Sequence, residues 1–136
     1  MEVLALERTL TEVDHARLTG LVHTHASSEF EMEPLASMLD AASIVPSRQI
    51  SPDTVTMYSQ VLLAFPAGRR KKLTICYPAD AEPSLGFVSV LSPVGSSVIG
   101  LRIGELARWR TPLGDTGWAE VLDILFQPEA SGDYTT

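Results

Sequence analysis

At 136 residues, with 45% hydrophobic and 20% charged side chains, the chain can bury roughly two-thirds of its unfolded surface in one domain, or in a domain with an appendage. That composition argues against extended disorder, and a single cysteine, Cys76, rules out an intramolecular disulfide. A net charge of −7 disfavours broad nucleic-acid binding, which draws its affinity from a basic face laid on phosphates. No run reaches the 18 or so apolar residues of a spanning helix, and the N-terminus MEVLALER lacks the form of a signal peptide. A cytoplasmic protein with no membrane contact is expected. The charge is uneven: residues 1–45 carry −6 and residues 46–136 carry −1, so an acidic arm on a near-neutral body fits a protein partner with a positive surface.

Met1 to Thr9 is compatible with a short strand or an extended lead-in. Thr11, with Asp14 three residues on, has the spacing of an N-terminal capping box, and Val13, Ala16, Leu18, Leu21 and Val22 outline a helix face weakened by Gly20. After a polar break at His23 to Glu29, helical spacing resumes from Phe30 to Ile44 through Met32, Leu35, Ala36, Leu39, Ala42 and Ser43, with Pro34 tolerable only in the first turn. Two such helices on a short loop predict an antiparallel coiled-coil hairpin with arms of about 20 Å. Val45 to Asp53 reads as a linker.

Thr54 to Phe65 predicts a strand from its β-branched content, followed by a turn holding Arg69 to Lys72 and a second strand from Leu73 to Tyr77. A polar loop from Pro78 to Gly86 leads to a strand ending around Val88, Val90 and Leu91, which Ser92-Pro93 breaks. Val94 to Leu101 predicts about two helical turns flanked by Gly95 and Gly100. Leu106 to Arg110 is a strand carrying Trp109, TPLGDTG is a hairpin turn, and Trp118 to Phe126 returns as a strand that Pro128 stops. The fold class is α+β, with residues 1–45 as the hairpin and 46–136 as a β-sheet domain bearing one short helix.

Chemistry-bearing motifs are sparse. His23 and His25 would point about 200° apart on a helix and His15 is two turns away, so a solvated loop is the commoner reading and no metal site is assigned. Arg69 to Lys72 suits a solvated turn, with phosphate or acidic-surface contact as the alternative. Glu29, Glu31 and Glu33 fall at the hairpin tip, where the helix dipole favours acids; clustered there, they also have the composition of a Mg²⁺ site. Cys76 lies in an apolar run and reads as a small buried hydrophobe, and Trp109, Trp118 and Tyr58 as core aromatics. No nucleophile elbow, phosphate loop or zincin motif occurs, so no catalytic residue and no cofactor is assigned.

Ser89-Val-Leu-Ser-Pro-Val-Gly95, then Val98-Ile-Gly-Leu-Arg-Ile-Gly104, Trp109 and Pro112-Leu-Gly114, resemble the C-terminal domain of the Gre transcript-cleavage factors. Within that superfamily the sequence is most similar to the Rnk group, regulators of nucleoside diphosphate kinase, through Val55-Thr-Met57 with Val61, Tyr77-Pro-Ala79 and the ending Phe126 to Tyr134. The resemblance implies an FKBP-like body and a bacterial factor that binds RNA polymerase near its secondary channel; a monomer is expected, with pairing of two hairpins as the alternative. By the same resemblance, the turn Ser92, Pro93, Val94 and Gly95 is the docking face, with Glu29, Glu31 and Glu33 as an electrostatic second contact. Arms of about 20 Å are too short for the deep reach of a cleavage factor, so a non-enzymatic regulator is expected. The alternatives are a Gre-like cleavage factor working through the tip acids and, from the FKBP-like fold alone, a prolyl isomerase.

Overall fold

The computed structural model describes residues 7–24, 29–110 and 114–132; the side chains of residues 29–34 lie outside that description. The N-terminal region runs β1 (Thr9–Thr11), α1 (Glu12–Thr24), α2 (Glu29–Ala41) and β2 (Ser43–Val45). Thr11 caps α1 as its spacing predicts, its hydroxyl accepting from the Asp14 N–H at 3.0 Å. Ser43 and Ile44, expected to continue the second helix, instead form β2 together with Val45, pairing in parallel with β1 through Thr9–Ser43, Leu10–Ile44 and Thr11–Val45. Ile44 and Val45 are β-branched and better suited to a strand than to a helix end. Pro34 is the sixth residue of α2, beyond the first turn, and the helix continues through it.

The body is a curled sheet of five strands in the order β5-β4-β3-β7-β6, built from β3 (Gln60–Ala64), β4 (Arg70–Cys76), β5 (Phe87–Ser89), β6 (Leu106–Arg110) and β7 (Thr116–Phe126). All neighbours are antiparallel except β4 and β5. The expected strand over Thr54 to Phe65 begins only at Gln60. Before it, Val55 bonds across to Leu101 and Gly100, and the chain turns a corner at Met57-Tyr58, with Tyr58 in the left-handed region at φ 66°. The basic run is likewise not a turn. Pro66 to Gly68 make the turn, with Phe65 N–H bonded to Arg69 O at 2.7 Å, and Arg70 to Lys72 pair with Ala64 to Leu62 as β4.

Alternation in β6 and β7 sends Ala107, Ala119 and Val121 inward and Arg108 and Glu120 outward. Trp118 is on the outward set and 42% exposed, which corrects its reading as a core aromatic. Trp109 faces inward, edge-on to Phe65 at 6.3 Å and against Gly117, where a Cβ would sit 2.4 Å from its indole nitrogen. Cys76 is buried, as expected.

Leu10, Leu18, Leu35 and Leu39 from the N-terminal region share one apolar cluster with Val61, Leu63, Val98, Leu101 and Val121 of the body. Each such side chain contributes about 1.5–3 kcal/mol on burial. Among the described residues, no helix is long and apolar enough to cross a membrane.

Candidate functional site

The turn between β5 and α3 (Pro93–Val98) is fixed by the backbone chemistry of its four residues. Ser92 is the N-cap: its hydroxyl accepts from Gly95 N–H at 3.1 Å and donates to Ser89 O at 2.7 Å. Pro93 follows at the first helical position, where a missing N–H costs nothing. A Cβ on Gly95 would stand 2.1 Å from Ser89 O, so only glycine lets the helix lie this close to the preceding strand. The helix is shorter than its apolar spacing predicts, ending at Val98, with Ile99 as its C-cap.

These constraints decide what the turn can present. Pro93 is exposed, Ser92 and Val94 are half-buried, and Gly95 is buried, so the expected exposed turn of four is open mainly at Pro93. The N-terminal region is bolted to the far end of the same helix. Arg8 donates to Ile99 O at 3.0 Å, and Thr9 N–H to Gly100 O at 3.2 Å. Burial pushes the Arg8 guanidinium below its ordinary value, against the opposing pull of Glu105. Gly100 sits at φ 83°, with the Arg8 side chain 3.0 Å from where its Cβ would be.

Glu29, Glu31 and Glu33 lie at residues one, three and five of α2; their side chains fall outside the described residues. They are distant in sequence from the Ser92 turn, although the helices that carry the two groups, α2 and α3, touch. His15 donates from Nε2 to Leu39 O at 3.0 Å and so ties α1 to α2 instead of serving a metal. His23 is exposed in the last turn of α1, and His25 lies outside the described residues. Among the described residues, no group of three metal-ligating side chains converges.

Sequence reasoning missed the buried charge at the base of the helices. Asp14 is 1% exposed, and its Oδ2 accepts from Met57 N–H at 3.1 Å, tying α1 to the corner of the body. Burial, first of all, pushes its carboxyl up to about 7. The nearby Glu129 adds to the rise, while Met57 N–H, Arg17 and Thr11 oppose it. The signal was present in Asp14 and Leu18, an acid and a leucine four residues apart on one helix face. The other missed anchor is Gln127, buried, whose Nε2 donates to Ser51 O and Thr54 O, both at 2.8 Å. Elsewhere on the body, the Tyr58 hydroxyl donates to Asp80, and burial followed by that bond pushes the phenol up to about 12.

Residues 50–126, which hold the whole five-stranded sheet and α3, match the family model described as transcription elongation factor, GreA/GreB, C-terminal. The chain is 33% identical over 127 residues to the "Regulator of nucleoside diphosphate kinase" of Escherichia coli (strain K12), covering 92% of this chain and 93% of that one. It is 31% identical over 88 residues to the "Transcription elongation factor GreA" of Geobacillus kaustophilus, covering 64% of this chain and 56% of that one. In structure it is similar to a "Prokaryotic transcription elongation factor GreA/GreB" from Nitrosomonas europaea, with a TM-score of 0.73 and 29% identity over 88% of this chain and all of that one. The mixed helix-and-sheet architecture with its curled sheet matches that fold, and this chain belongs to the GreA/GreB family.

Proposed function

We propose that this chain is an RNA polymerase-binding transcription regulator of the Rnk type. It docks near the secondary channel and competes with other channel-binding factors without cleaving RNA. In this reading residues 46–136 form an FKBP-like docking body and residues 1–45 a short antiparallel hairpin arm, in a monomeric cytoplasmic protein. The observation that carries it is the turn at Ser92 to Gly95: a rigid, capped corner that holds Pro93 out to solvent beside half-buried Val94. Family membership supports the partner, and likeness to the E. coli regulator over 92% of the chain supports the non-cleaving branch.

Arm length favours the same branch. Each helix has 13 residues, which gives arms of about 20 Å at 1.5 Å per residue. The acids Glu29, Glu31 and Glu33, at the start of the second helix, serve as an electrostatic contact with the partner. Purified polymerase mixed with the chain at micromolar concentration should retain it in a pull-down; the absence of retention would sink this reading. Backtracked elongation complexes should release no short 3′ RNA fragments on addition of the chain. Release that disappears in a Glu29→Ala, Glu31→Ala double variant would establish the cleavage reading instead. A proline-peptide isomerisation assay separates off the isomerase alternative, which rests on fold likeness alone.

A further inference from the structure

Two adjacent residues of the body, Thr56 and Met57, are each held by a carboxylate from a different element. Asp14 on α1 accepts from Met57 N–H at 3.1 Å, and Glu129, in the helical turn Glu129–Ser131, accepts from the Thr56 hydroxyl at 2.7 Å. Thr56 and Asp14 are fully buried or nearly so. The groups facing Asp14 are Arg17 one turn along α1, Glu129, the Tyr77 hydroxyl, the Thr11 hydroxyl and the Met57 N–H. Arg17 is exposed, so solvent screens the one cation in the set. Two acids and one screened guanidinium leave an excess negative charge in the buried part of the junction unless one carboxyl holds a proton.

We propose that Asp14 is a proton-operated latch between the helical pair and the body. Protonated, Asp14 still accepts from Met57 N–H and stands beside Glu129 without repulsion. Ionised, it keeps and strengthens its bond to Met57 N–H but becomes a desolvated charge near a like charge, and the net stability it gives the folded junction falls. The Asp14 value of about 7 places the change near neutrality. The latch sets how firmly the arm is fixed to the body, and it does not depend on what the body binds.

The test is NMR on the full chain from about pH 5 to about pH 9, following the Asp14 carboxyl carbon, the Met57 amide and hydrogen exchange across α1. The Asp14 carboxyl and the Met57 amide should titrate together with a midpoint near 7. Protection of α1 amides should fall through the same range by more than the base-catalysed rise of free amides. Glu129→Gln should lower the midpoint, and Asp14→Asn should leave α1 protection independent of pH. An Asp14 midpoint in the ordinary carboxylate range, or α1 protection that does not change as Asp14 titrates, overturns the proposal. The unaltered chain and Glu129→Gln decide the question even where Asp14→Asn fails to fold.

Discussion

The Ser92 turn and the Asp14 junction both join elements across the same core, but they are held by different forces. The turn is set by backbone sterics: a glycine at closest approach, a proline where its ring fits and a serine hydroxyl bonded both ways. None of those groups titrates near neutrality, so its shape is independent of pH. The junction is set by a carboxylate buried beside a second carboxylate, so its strength follows the proton. The comparison separates a rigid surface suited to recognition from an adjustable joint suited to positioning the arm.

Substitutions that exchange these properties test the comparison. Gly95→Ala should cost the most, about 3 kcal/mol by urea unfolding, because the new methyl meets a backbone carbonyl that has nowhere to go. Asp14→Ala orphans the buried Met57 N–H and should cost about 2 kcal/mol at acid pH, where the native carboxyl is protonated. In the unaltered chain, Asp14 has a folded value of about 7 against an ordinary 3.8, so the stability it contributes is fully present below about pH 4. That contribution is lost as pH rises through about 7, at a slope of up to about 1.4 kcal/mol per pH unit, and Asp14→Asn should remove the slope. Ser92→Ala, which deletes the cap, should cost about 1 kcal/mol with no dependence on pH near neutrality. Pro93→Ala should change stability by less than about 0.5 kcal/mol, since the side chain is exposed. A strong pH dependence in the Ser92 variant, or none in the unaltered chain, would break the contrast.

Much of the body could be read from local chemistry. Ser92-Pro93 marked the start of α3, Gly104 preceded β6 with its bounds as expected, and alternation from Trp118 onward located most of β7, whereas the ends of β5 and α3 fell earlier than read. The turn proposed for docking was legible as Ser-Pro followed by a glycine that a close backbone approach demands. Long-range pairing was not legible. Ser43 and Ile44 fit a helical period until β1 supplies a parallel partner, and Thr54 to Ser59 alternate in part like a strand but turn a corner at Tyr58. Trp118 was misplaced because its bulk suggested burial, whereas the period of two set by Ala119 and Val121 sends it outward. Asp14 was read as a capping partner because Thr11 lies three residues earlier; the cap forms, yet the carboxylate is committed to Met57, 43 residues away.

The central claim is that this chain docks on RNA polymerase through the corner at Pro93. Titration of labelled chain into purified polymerase, for the unaltered protein and for Pro93→Glu, tests it most directly. A charge at an exposed first helical position leaves the fold intact but puts a carboxylate into the proposed contact. Micromolar or tighter binding is expected of the unaltered chain, and a loss of at least about tenfold, or 1.4 kcal/mol, of the variant. Equal binding by both chains would contradict docking at this corner, and no binding by either would contradict the polymerase as partner.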